Sequence, residues 1–296
     1  MRFGAIDIGT NAARLLIGEV EEEDGKHHFV KKISYTRIPL RLGLEVFENG
    51  EISKQKEAEF TKSMQAFRLI SEVFDVKELR ACATSAMREA SNGIDIQSRI
   101  LDKTGVNIEI IKGSEEAKLI LSTFFLLEFD QKDPFLVIDV GGGSTEISIF
   151  KKGEKVASRS FPIGTIRLLK DKVKSKDWKA LDQWIIKYLK KENKYITFAT
   201  GGNINKIHKL IGKKSAEPIQ FSEMHELSQK LRKLTVEERI SDFSLKPDRA
   251  DVIVPACDIY EFIFDRLDSV EVYVPKIGLS DGMIYNLHQK HLRKKK

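Results

Sequence analysis

Phe3-Gly-Ala-Ile-Asp-Ile-Gly-Thr-Asn11 returns later in the chain as Phe135-Leu-Val-Ile-Asp-Val-Gly-Gly-Gly143. Phe, Ile, Asp and Gly coincide at an offset of 132, close to half of the 296 residues. Each copy opens as a buried apolar strand, breaks at Gly and resumes as a second apolar strand. The same β-hairpin is therefore expected at the start of each half, by duplication. Two unrelated strands with chance Asp-x-Gly turns are the alternative, and the matching context on both sides of the coincident positions weighs against it.

Working outward from the hairpins, strands fit 2–9, 13–20, 28–36, 78–84, 107–111, 135–140, 144–150, 155–162 and 195–199. Helices fit 53–74, 95–103, 114–127, 177–190, 203–211 and 250–267. The fold class is α/β, with mixed element order. The short polar connection Glu128-Phe-Asp-Gln-Lys-Asp-Pro134 is the expected boundary, which gives domains 1–127 and 128–296, the terminal helix packing back on the first. The cleft between two such halves is the default ligand site.

Composition narrows the classes. A chain that is 41% hydrophobic and 32% charged builds cores and a polar surface, and its longest apolar stretches are short or broken by Asp and Pro, which argues against a membrane span. Asp7 interrupts what would be the apolar core of a signal peptide, so the N-terminus reads as a first strand. Cys82 and Cys257 stand in apolar contexts without metal spacing and read as buried free thiols, and a cytoplasmic location is expected. The formal charge of +6 is compatible with a polyanionic ligand, although most of the lysines read as a solvated surface. No membrane partner and no specific nucleic acid are expected. The basic end Arg293-Lys-Lys-Lys296 reads as a frayed helix end, with polyanion binding as the alternative, and His288 and His291 read as exposed.

Chemistry concentrates in glycine turns. Gly141-Gly142-Gly143 lets backbone N–H groups approach an anion, and Ser144 follows directly. The spacing matches neither G-x-x-x-x-G-K-[ST] nor G-x-G-x-x-G. Asp139 ends the preceding strand, and alternation puts Glu146 on the face of Ser144. Two carboxylates beside a phosphate turn suit Mg²⁺. The first hairpin offers Asp7, Gly9, Thr10 and Asn11 by similar logic, Asp7 being a further candidate metal ligand. A third turn, Thr200-Gly201-Gly202-Asn203, opens a helix with Asn203 as its expected cap. Arg88 follows a strand and suits a phosphate clamp, whereas Glu115 and Glu116, in the first turn of a helix capped by Ser114, read as ordinary dipole complements from composition alone. No G-x-S-x-G or H-E-x-x-H occurs.

The order of these motifs resembles the exopolyphosphatase/guanosine pentaphosphate phosphatase (Ppx/GppA) family. The resemblance rests on Ile6–Asn11, Thr84–Arg88, Gly113–Ala117, Ile138–Glu146, Gly164-Thr-Ile-Arg-Leu168, Gly201-Gly202 and Gly278-Leu-Ser-Asp-Gly282. It implies the actin-like ATPase fold of acetate kinase, sugar kinases and Hsp70: two duplicated ribonuclease H-like domains around a cleft. It also implies metal-dependent hydrolysis of a terminal phosphoanhydride in inorganic polyphosphate or guanosine pentaphosphate, with guanosine tetraphosphate as a further binding partner. By motif match, Glu116 would orient or deprotonate the attacking water, Asp139 and Glu146 would hold Mg²⁺ or Mn²⁺, and Arg88 with the glycine turns would bind phosphate oxygens. Asn203, Lys118 and Ala12 depart from the residues usual there. The length resembles short members without a C-terminal HD-type helical domain. A homodimer is compatible with this reading. A non-catalytic (p)ppGpp or polyphosphate sensor and a small-molecule kinase on the same fold are the rivals.

Overall fold

The computed structural model describes every residue except 24–25, 125–126, 128, 130–131, 190–194, 268–270 and 296, and for side chains also excepts 21–23, 26–29 and 295. The chain divides into two compact units, Met1–Phe129 with Ile277–Lys296, and Asp130–Lys276.

In the first unit the elements run β1 (Phe3–Ile8), β2 (Ala13–Glu23), β3 (Lys26–Ile38), α1 (Leu42–Asn49), α2 (Lys54–Val73), β4 (Glu78–Ala83), α3 (Ser85–Glu89), α4 (Gly93–Thr104), β5 (Ile108–Ile110) and α5 (Gly113–Phe124). The sheet order is β3-β2-β1-β4-β5. The first three strands form an antiparallel meander, and β4 and β5 continue from β1 in parallel. All six residues of β1 are buried, as a central strand covered on both faces requires. Helix α2 begins where Ser53 accepts the Lys56 N–H at 3.2 Å, and it turns Phe60, Met64 and Phe67 into the core at helical spacing.

The second unit runs β6 (Phe135–Val140), β7 (Thr145–Lys151), β8 (Glu154–Phe161), α6 (Thr165–Leu169), α7 (Ser175–Tyr188), β9 (Ile196–Thr200), α8 (Gly202–Ile211), β10 (Ile219–Gln220), α9 (Phe221–Arg232), α10 (Val236–Phe243), α11 (Pro247–Ala250), α12 (Ile253–Phe264) and β11 (Glu271–Tyr273). Its sheet reads β8-β7-β6-β9-β11, with β10 added antiparallel at the far edge. Strand directions repeat those of the first sheet: two antiparallel pairings, then two parallel ones. The repeated hairpin is thus the start of a repeated sheet. Tyr260, Ile263 and Phe264 of α12 and Trp184 of α7 fill the core behind it.

The last helix, α13 (Leu279–Lys295), belongs to the first unit and packs on β1, β2 and α5. The second compact unit ends at Lys276, and residues 277–296 fall with the first. His288 and His291, read as exposed, are corrected. Both rings meet Phe3 edge-on at 6.2 Å and are half-buried, because the helix carrying them covers β1. The stretch expected as one helix over 250–267 starts at Ile253, which puts Pro255 in the first turn, where its missing N–H costs no helical bond. The helix expected over 114–127 ends at Phe124, residues 125–126 lying outside those described. Lys296 of the basic end lies outside them as well. Both cysteines are buried and free, and burial pushes each thiol up to about 12. Among the described residues no helix is long and apolar enough to cross a membrane.

Candidate active-site loops

In the first unit, three turns follow the carboxyl ends of the adjacent parallel strands β1, β4 and β5, the edge where open α/β sheets bind ligands. The β1–β2 turn is closed by the Gly9 N–H on the Ala12 carbonyl at 3.1 Å. Its Thr10 and Asn11 carbonyls accept the Gly43 and Arg41 amides, and Thr10 Oγ1 meets Ser85 Oγ at 3.0 Å. Arg88 donates from Nη1 to the Ile111 carbonyl at 2.8 Å, tying α3 to the turn that leads into α5. Glu116 lies half-buried in the first turn of α5, where its N–H and that of Glu115 both reach the Lys112 carbonyl at 3.0 Å. Helix α5 starts at Gly113, so Ser114 sits inside the first turn rather than before it.

The second unit carries the equivalent turns after β6 and β9. Gly141 N–H donates to the Ser144 carbonyl at 2.9 Å, while the Gly141 and Gly142 carbonyls accept the amides of Thr165 and Ile166. Gly164 makes this approach feasible: a Cβ there would lie 2.5 Å from the Gly142 and Gly143 backbone. Arg167, buried, donates from Nε to the Gly143 carbonyl at 2.8 Å. The carbonyls of the loop are thus held from behind by α6. At the second turn Gly201 has φ +102°, ψ 167°, a region essentially reserved for glycine, and a Cβ would sit 2.8 Å from Asp139 Oδ1. Gly201 itself precedes α8, so Asn203 is not the cap; its Oδ1 accepts Arg249 Nη1 at 2.9 Å instead.

The paired strands set the charges. Ile8 stands opposite Ala13 and Asp7 opposite Arg14; in the second hairpin Asp139 stands opposite Glu146, the same two positions 132 residues on. In the first unit the pair is a salt bridge, Arg14 Nη1 to Asp7 Oδ2 at 2.5 Å. In the second it is two carboxylates, which directly opposed positions hold about 5 Å apart at Cβ. Like charges so placed are destabilising unless a cation joins them. Glu146 is buried, and its Oε1 accepts both Ser144 Oγ at 2.7 Å and Ser160 Oγ at 2.6 Å. Asp139 Oδ1 accepts Thr200 Oγ1 at 3.0 Å, and the Thr200 carbonyl accepts the Tyr260 hydroxyl at 3.1 Å. Burial, with Asp139 adding to it, raises the Tyr260 phenol well above its ordinary value, so it remains a donor.

Sequence reasoning named the carboxylates and the glycines but missed the residues that brace them. Arg167 stood in a quoted motif without a role. Arg249, in Pro-Asp-Arg-Ala, carries no local signal, although it presses so closely on Gly202 that a Cβ there would lie 2.5 Å from Nη2.

Known proteins share this fold. The chain is 32% identical to exopolyphosphatase 1 of Mycobacterium tuberculosis over 171 residues, covering 58% of this chain and 48% of the relative. It is 27% identical to retrograde regulation protein 2 of Saccharomyces cerevisiae, covering 98% of this chain and 56% of that one. It spans about half, or less, of the length of the curated relatives it matches. The crystal structure of an exopolyphosphatase from Cytophaga hutchinsonii superposes with a TM-score of 0.84 over 98% of both chains at 22% identity. With the repeated sheets, this gives the chain the actin-like ATPase fold. Residues 20–291 match the Ppx/GppA phosphatase family, and the chain belongs to it.

Proposed function

We propose that the protein is a phosphohydrolase that removes the terminal phosphate of inorganic polyphosphate by metal-assisted attack of water. The observation that carries this reading is the facing pair Asp139 and Glu146 beside the Gly141–Ser144 turn. Two hydroxyl donors fix Glu146 and one fixes Asp139, so two hard oxygen ligands stand oriented side by side, the donor type a divalent cation takes. That donor set fits Mg²⁺, which takes a few carboxylates and keeps its waters. Asp7 is the weaker ligand in this reading, because Arg14 already answers its charge.

A bound Mg²⁺ supplies charge neutralisation at the phosphate oxygens. The chain's own residues do the rest. Backbone N–H groups of the glycine turns, with Arg88, bind and orient the phosphate oxygens, an arrangement suited to a reaction governed by positioning and charge. Glu116 takes a proton from water as its oxygen bonds to the terminal phosphorus. The bridging P–O bond breaks toward the shortened chain, and orthophosphate leaves. Guanosine pentaphosphate presents the same terminal anhydride. The exopolyphosphatase named among the relatives supports polyphosphate as the substrate class.

The test is an orthophosphate-release panel over polyphosphate, guanosine penta- and tetraphosphate and ATP, with Mg²⁺, with Mn²⁺ and with excess EDTA. Release from polyphosphate with either ion, abolished by EDTA, is expected. Full activity in EDTA, or turnover of ATP alone, would overturn the proposal.

A further inference from the structure

The motif Gly278-Leu-Ser-Asp-Gly282 takes no part in the chemistry above, yet it opens the helix that closes the first unit. The first turn of α13 is fixed in two ways. Buried Asp281 accepts the Gly278 N–H at 3.0 Å and pairs with Lys32 of β3 at 2.9 Å, which ties the turn to the sheet. One residue on, Gly282 lies against α5. A Cβ built on it would sit 1.9 Å from the Leu119 carbonyl oxygen and 2.5 Å from its carbon. Both atoms are backbone, so no rotamer change relieves the overlap, and the helices would have to separate.

Leu119 lies three residues beyond Glu116, one helical turn along the same element. Its carbonyl also accepts Ser122 Oγ at 2.6 Å. Whatever displaces the Leu119 peptide therefore moves the turn that carries Glu116. We infer that Gly282 is a positioning residue for Glu116: its missing side chain sets how closely α13 seats on α5, and so where the Glu116 carboxylate stands. This rests on the role proposed for Glu116 above. The Asp281–Lys32 tie sets where along α5 that contact falls.

A displacement of about 1 Å at a reacting group costs on the order of 10²-fold. Gly282→Ala in the full chain is expected to lower kcat on polyphosphate by about 10- to 100-fold on that scale, with KM within about twofold, because the phosphate-binding turns are untouched. A merely structural role would lower the melting temperature and leave kcat per folded enzyme unchanged. The deciding measurement is the cycle of Gly282→Ala, Glu116→Gln and the double variant. If Gly282 acts through Glu116, the double variant is no slower than Glu116→Gln alone. Wild-type kcat in Gly282→Ala, or losses that multiply in the double variant, overturn the inference while leaving the functional reading intact. Wild-type kcat in Glu116→Gln removes Glu116 from the chemistry, and this inference with it, while the phosphohydrolase reading stands or falls on the phosphate-release panel. Should Gly282→Ala fail to fold, Asp281→Asn and Lys32→Met loosen the same turn without adding an atom to the interface. The same cycle with Glu116→Gln then decides, with the same expected and contrary results.

Discussion

Glu116→Gln is expected to lower kcat by about 10²- to 10⁴-fold, the usual worth of a positioned general base. A carboxylate is a poor group for binding phosphate, since it repels the substrate, and one placed on a rigid first helical turn beside phosphate-binding turns has a use in handling water and its proton. Its amide is anchored to the Lys112 carbonyl, and α5 is seated on α13, so the side chain starts from a fixed base. Gln keeps the shape and removes the basicity. KM is therefore expected to stay level or fall, because a negative charge has gone. Glu115→Gln, one position round the helix, is expected to do far less. Steady-state kinetics of the two variants side by side distinguish them. Loss of turnover in Glu115→Gln alone would mean that the wrong carboxylate has been assigned.

Glu146→Ala is expected to lower the rate by about 100-fold or more and to raise the Mg²⁺ concentration needed for half-maximal activity. Losing a ligand removes a share of the several kcal/mol that a metal supplies in charge stabilisation, and each 1.36 kcal/mol is about tenfold in rate. The hydroxyls behind it grade the effect. Ser160→Ala takes one of the two donors from Glu146 Oε1 and is expected to cost about 10- to 100-fold in metal affinity, the range for groups that orient a ligand. A Mg²⁺ titration of phosphate release for both variants checks this. An unaltered Mg²⁺ dependence in Glu146→Ala would remove Glu146 from the metal site.

Much of this was legible in the sequence, for a physical reason. Buried central strands are written as local apolar runs, and Phe135–Val140 lies in the structure where its run placed it. The duplicated hairpin followed from four coincident residues, and the repeated strand order is its consequence. Alternation put Ser144 and Glu146 on one face, and their hydrogen bond lies there. The pairing of Asp7 with Arg14 was within reach as well: once the turn closes with Ile8 opposite Ala13, the next pair is forced.

Other features depend on contacts that no local pattern encodes. Helix α1 begins after Arg41 at φ 55°, with no capping side chain to announce it. Helices α9 and α10 lie in a charged stretch; α9 shows Met224, Leu227 and Leu231 at helical spacing, whereas α10 buries no residue fully. Arg249 reaches Asn203 from 46 residues away, and only the packing of α11 on the second unit's core brings it there. Gly282 stood in a quoted motif without a role; its φ is ordinary, and space alone requires it.

The central claim is that water attacks the terminal phosphorus of a polyphosphate chain. Turnover in ¹⁸O-labelled water with Mg²⁺, followed by mass analysis of the released orthophosphate and the shortened chain, tests it most directly. One ¹⁸O in each released orthophosphate and none in the remaining chain is expected. Label in the chain with unlabelled orthophosphate, or no release above the enzyme-free blank, would contradict it.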